Sequence, residues 1–323
     1  MESSSKGWNP KKTDSGGRSD DSRKRREDDE MIVKESIQAK FEKIGAAVVF
    51  EDALARRRLR RNKENEHKAV RMADDSGVNA SRPTHVVDIK AIDGRETFVV
   101  DTFDDPKVKV EVLDVRPRDR HLLLMVADGK EKAKYLMGHD ERHWFAAAVP
   151  ESAHAKNVPD AMDALKPTRI LTKQTKAGVK AKDRNRRKND AYMRQGEWFF
   201  IPAPRFKESD GVIHRNESIQ RGRSKPHICQ ELIRKGGSTV WVHPKWAPNG
   251  VTEAQANAIR NRNGIMWSEN RSEWTQRVAD ATAYVRGFVK HSDHKTIHLK
   301  GWHRVLPNTE DKAKAGRFLK FLD

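Results

Sequence analysis

From residue 84 onward the apolar residues of this chain recur at every second position, whereas between 31 and 48 they recur at every third or fourth. That change of period constrains the fold more than any other feature, because side chains alternate across a strand but wind around a helix. Residues 107–112, Lys-Val-Lys-Val-Glu-Val, alternate strictly, as a strand with one face on a core does. The pairs Asp93-Gly94 and Asp128-Gly129 interrupt apolar runs with residues suited to the positive φ of a type I′ hairpin turn. With further apolar runs at 121–127, 133–137 and 144–149, residues 84–165 are predicted to be an antiparallel β-rich domain. It comprises a meander of about five or six strands and a short helix at 157–165.

Ahead of it, Val33, Ile37, Phe41, Ile44 and Val48 fall on one helical face. Residues 53–63 are helix formers with only two Leu, so 31–75 reads as an amphipathic helix followed by a basic one. Residues 1–30 hold eight basic and eight acidic side chains and almost nothing apolar, which predicts a disordered charged arm. Residues 166–188 carry ten Lys or Arg against one acid, Asp183, and 166–190 reads as a basic linker or surface loop. Beyond it, strands are predicted at 197–201, 238–243, 283–291 and 296–306. A helix at 253–262 is opened by a capping box of Thr252 and Gln255. The fold class is therefore α+β: N-terminal helices, an antiparallel meander, then a second mixed α/β part, Trp- and His-rich, at 191–310, with a tail at 311–323. The rival arrangement is one continuous mixed sheet with 166–190 as a long loop.

The net charge of +18 favours polyanionic partners without specifying a fold. No apolar run is long enough to span a bilayer, and the start lacks the apolar stretch of a secretory signal, so no membrane partner is expected. A single cysteine, Cys229, permits no internal disulfide and fits a reducing, cytoplasmic or nucleoid-associated setting. It also limits any divalent metal to His and carboxylate ligands.

The basic segments are the clearest functional signal. On a helix, Arg56, Arg60 and Lys63 share a stripe with Arg57 and Arg61 alongside, able to meet adjacent phosphates. Lys180, Lys182, Arg184, Arg186, Arg187 and Lys188 form a second set. The bland alternative is a solvated surface paired with acids. Seven of eight tryptophans lie between 144 and 302. Trp144, Trp198 and Trp241 sit inside apolar strands and read as core, while Trp246, Trp267 and Trp274 are candidate platforms for unpaired bases.

The sharpest catalytic hypothesis rests on His291-Ser292-Asp293-His294, followed by His298 and His303. A turn between strands could gather His291, Asp293, His294 and His303 around a divalent metal, with Glu310 as a further ligand or base. A polar turn explains the same letters. The H-x-H-x-D-H pattern of metallo-β-lactamase-like hydrolases fails at Val289. The pair His139 and His143 matches no helical zinc motif, and His227-Ile228-Cys229 lacks the rest of a zinc deaminase signature. No phosphate loop, dinucleotide fingerprint or nucleophile elbow is present, which argues against ATPases, Rossmann dehydrogenases and α/β-hydrolases. The expected function is sequence-tolerant binding of DNA or RNA, with exposed indoles favouring single strands. The alternatives are a metal-dependent phosphodiester hydrolase and a scaffold for acidic protein partners.

Overall fold

The computed structural model describes residues 17–52, 87–102, 108–128, 131–221, 224–262 and 273–310. The basic helix expected at 53–75, with Arg56, Arg57, Arg60, Arg61 and Lys63, lies outside the described residues, as do Trp267 and the tail 311–323. Among the described residues four helices accompany sixteen strands, so the α+β class holds with the weight on β.

Helix α1 spans Gly17–Glu42. Ile37, Phe41 and Ile44 are buried, whereas Val33 is exposed. At the end of the helix Gly45 takes φ 78. Its N–H donates to the Glu42 carbonyl at 2.8 Å, and the Ala46 N–H donates to that of Phe41 at 3.1 Å. This is a Schellman stop, which glycine makes at little steric cost. Val48, predicted on the helical face, therefore belongs to strand β1, Ala47–Asp52. Of the expected disordered arm, residues 1–16 lie outside the described residues and 17–30 are helical. After Gly17 this stretch contains neither Gly nor Pro, and its mixed charges suit i,i+4 pairs such as Glu30 with Lys34, 2.5 Å apart.

Strands β2 (Val87–Ile92) and β3 (Arg95–Thr102) form the expected hairpin, with Asp93 and Gly94 at φ 49 and 74. Strand β1 then joins β3 in parallel. Strands β4 (Val108–Arg116), β5 (His121–Asp128), β6 (Glu131–Asp140) and β7 (His143–Val149) make a separate four-stranded meander, so the single meander expected is two sheets. One face of it packs Leu122, Leu124 and Met137 against Phe41, Ile44 and Phe98. The other packs Leu123, Leu136 and Ala147 against helix α2, Val158–Ala164. Burial on both faces explains why β5 is continuously apolar where β4 alternates. Helix α2 starts where the Asp160 N–H donates to the Asn157 side chain at 2.9 Å.

The predicted linker at 166–190 is a folded segment. It contains helix α3, Thr168–Lys176, and a 3-10 turn, Ala181–Asp183. Its few apolar residues decide this against the composition: Ile170 and Val179 are buried with Tyr192, Phe199 and Ile201. Lys166 is buried too, its ammonium donating to Asp163 at 2.5 Å, to the Arg184 carbonyl at 3.0 Å and to Asn185 at 2.6 Å.

In chain order there follow β8 (Met193–Gln195), β9 (Trp198–Pro202), β10 (His214–Ile219), β11 (His227–Lys235), β12 (Ser238–His243), β13 (Ala247–Val251), helix α4 (Glu253–Arg262), β14 (Thr275–Ala279), β15 (Thr282–Lys290) and β16 (Ile297–Pro307). Six form one sheet in the order β10-β11-β15-β16-β9-β8, antiparallel at every pairing. A small sheet, β13-β12-β14, packs on α4 through Ala256, Trp241 and Trp274. Among the described residues the second half is thus antiparallel β with one α-helix, in place of the expected mixed α/β part. The capping box of α4 is formed: Thr252 N–H donates to Gln255 Oε1 at 3.0 Å and Gln255 N–H to Thr252 Oγ1 at 3.4 Å.

Candidate metal centre

Strands β11 and β15 pair in a register that sets Ile228 opposite Lys290, so the next position outward brings His227 to His291. The turn after β15 then folds His294 back onto both. The three histidines each offer a ring nitrogen, and these atoms lie within 4.8 Å of one another. The rings stack, with centroids 4.1 Å apart for His227 and His291, 4.6 Å for His291 and His294, and 5.8 Å for His227 and His294. Nitrogens bound to one tetrahedral zinc ion at about 2.0–2.1 Å are about 3.4 Å apart, so the stacked rings would have to turn and draw together to close the set.

His227 is fully buried, and neither of its nitrogens has a hydrogen-bond partner. Burial, reinforced by the two neighbouring imidazoles, lowers its pKa to about 3. It is therefore neutral at physiological pH, with a lone pair to give. Burial and His291 also lower the pKa of His294, against the carboxylates of Asp140 and Glu141. His294 Nδ1 lies 3.7 Å from Glu141 Oε2, which leaves Nε2 facing the cluster. His291 Nδ1 accepts the Asp293 N–H at 3.1 Å.

Gly196, at φ 56, makes the space. A Cβ there would stand 2.9 Å from His294 Nε2 and 3.3 Å from His227 Nε2. The neighbouring Gln195 amide donates to the carbonyls of Val289 at 3.3 Å and Lys295 at 2.8 Å, holding both ends of the histidine turn.

Of the four residues expected at the centre, only His291 and His294 meet. Burial opposes ionisation of Asp293, but the Lys225 ammonium and Ser292 hydroxyl, each 2.8 Å away, hold it down at about 2. His303 lies within the sheet opposite Val285 and Pro202, its Nδ1 2.9 Å from the Gly301 carbonyl. Distance along the strand, not chemistry, removes it. Glu310 is engaged by the Ala148 N–H at 3.1 Å. His143 pairs with Glu96 at 2.6 Å, away from the cluster. Burial pushes the Cys229 thiol up to about 12, which leaves it a protonated core side chain.

His294 stands in the wall of a cavity of about 580 Å³ between β6–β7 and β8–β9, together with Gly196, Arg194, Arg221 and Glu197. Burial raises the pKa of Glu197 against its hydrogen bond with Ser224 and the charges of Arg221 and His291. Of the three histidines, His294 lines this cavity and His227 is buried behind it; a catalytic zinc site has three protein ligands and an open position, whereas structural sites close with four.

The basic segment borders this centre. Lys180, Lys182, Arg186 and Lys188 are exposed, and Arg184 and Arg187 are half-buried. Arg186 pairs with Asp183 at 3.1 Å, and Arg184 Nε donates to the Val179 carbonyl at 3.4 Å. Arg187 clasps Asp140 and Glu141. Glu141 is also the carboxylate beside His294, so segment and cluster meet at one side chain.

The platform expectations need revision. Trp274 is buried, 4.6 Å from the Arg260 guanidinium, because it fills the core of the small sheet. Trp246 is half-buried and stacks on His243 at 4.3 Å. Trp198 is core as expected, and Trp144 and Trp241 are half-buried. No described helix is long and apolar enough to cross a membrane. No family model matches the chain, and neither the curated proteins nor the solved structures contain a match.

Proposed function

We propose that this protein is a metal-dependent phosphodiester hydrolase whose ion is held by His227, His291 and His294. The observation that carries the reading is the pair of orphaned nitrogens on buried His227, beside two further imidazoles. A buried imidazole without partners forgoes hydrogen bonds it had in water, and a cation would repay that loss. Imidazole ligands favour zinc and its neighbours over magnesium or calcium. Such an ion supplies polarisation of a phosphate oxygen and a nucleophile at neutral pH. Glu197, with its raised pKa, is the cavity group suited to hand a proton to the leaving oxygen. Lys180, Lys182 and Lys188 are exposed on the segment whose Arg187 clasps Glu141, and would hold the flanking phosphates of a DNA or RNA substrate.

The test joins elemental analysis of the purified protein to cleavage of single- and double-stranded DNA and RNA, with and without chelator. Roughly one zinc per chain and chelator-sensitive cleavage are expected, both lost in a folded His227→Ala, His294→Ala variant. A folded protein with neither metal nor cleavage would remove the reading. The net charge of +18 supports a second one, sequence-tolerant binding without catalysis, in which salt-dependent binding survives in that same variant.

A further inference from the structure

We propose that Glu141, carried on the turn between β6 and β7 of the first half, is the positioning residue of the metal centre, orienting the ring of His294. This rests on the three-histidine reading of the site. Glu141 adopts φ 57, a left-handed conformation that local energetics reserve for Gly, Asn or Asp. A glutamate is mildly unfavourable for the turn itself, and its carboxylate is engaged beyond the turn.

It reaches three groups. The Arg187 guanidinium donates to Oε1, the Lys295 N–H donates to Oε2 at 2.5 Å, and His294 Nδ1 stands 3.7 Å from the same Oε2. The Lys295 bond ties the end of the histidine turn to the meander. At 3.7 Å the carboxylate stands just outside hydrogen-bond distance of Nδ1, while Nε2 is turned toward Gly196; a small closure of that gap on metal binding would set the tautomer as carboxylates behind zinc-bound histidines do. Asp140 takes the second arm of Arg187 and accepts from Arg194 at 3.5 Å, so the guanidinium does not fall to Glu141 alone. The ligands come from the six-stranded sheet, but the group that aims one of them comes from the four-stranded one.

Zinc titration of the full-length chain by calorimetry tests this with two variants. Glu141→Gln keeps an acceptor for the Lys295 N–H but loses the charge, and should bind zinc roughly 10- to 100-fold more weakly at unchanged fold. Arg187→Met breaks the same clasp from the other side while leaving both carboxylates near His294, and should bind zinc at least as tightly as the parent. A purely structural clasp would weaken both variants alike. Should Glu141→Gln not fold, Glu141→Asn, which tolerates the left-handed turn, is read against the same expectation. Parental zinc affinity in the Glu141 variant, or an equal loss in Arg187→Met, overturns the inference alone. A parent chain that takes up no zinc overturns the metal reading and this inference with it.

Discussion

The imidazole of His227, at the start of β11, lies face to face with that of His291, just beyond the end of β15, their centroids 4.1 Å apart. Neither ring nitrogen of His227 finds a partner. The pairing carries a pH signature. The pKa of His227 falls from 6.5 to about 3 in the folded chain, chiefly through burial. Above 6.5 the ring is neutral in both states and contributes no pH dependence. Below 6.5 the unfolded chain takes up a proton that the folded one refuses, so stability falls with pH until about 3.

Urea unfolding in chelator from pH 7.5 to pH 5 should therefore show a component of about 1.4 kcal/mol per pH unit below 6.5. His227→Leu should lose that component. An identical pH slope in the parent and His227→Leu would show that His227 does not titrate as its surroundings require.

Gly196→Ala should damage the site while sparing the fold. The added methyl would lie 2.9 Å from His294 Nε2 and 3.3 Å from His227 Nε2, between the nitrogens that would face the ion. The left-handed φ of 56 adds strain of about 1 kcal/mol. Zinc affinity should drop by roughly tenfold or more, while a cooperative thermal transition persists a few degrees lower. Parental zinc binding in this variant would mean that the ion does not occupy the space Gly196 leaves.

Replacing Lys180, Lys182 and Lys188 by Ser should weaken nucleic-acid binding equally across sequences. The salt dependence of affinity for single strands should flatten by about 0.7 for each phosphate no longer neutralised. If the hydrolase reading holds, KM should rise with kcat nearly unchanged, because these side chains grip the strand away from the reacting bond. An unchanged salt slope would move the binding surface elsewhere. Lys166 belongs to a different class despite its place in the same basic run, since its ammonium is buried and spends its donors on Asp163, Arg184 and Asn185.

What the residues determined unaided was local. Asp93-Gly94 specifies its own turn, since few other pairs accept two positive φ values, and Thr252 with Gln255 closes its own capping box. Strand β12 and helix α4 coincide with the predicted 238–243 and 253–262, because alternation and capping are written within a few residues of where they act. The basic run at 166–188 misleads as a linker because composition averages over Ile170 and Val179, and burying a few apolar residues outweighs many solvated charges.

Only the tertiary structure decided the three-histidine cluster. His291 and His294 stand out together as neighbours in one turn, and His303 invited inclusion for the same reason. His227 belongs with them because β11 pairs with β15 in a register that sets Ile228 against Lys290. A shift of one residue would have sent its side chain to the other face. That register comes from burial of Cys229, Leu232, Val285 and Val289 in one core, a cooperative choice among distant strands that no spacing along the chain records. Glu141 reaches His294 by the same logic, since two sheets must dock before a turn in the first can meet a turn in the second.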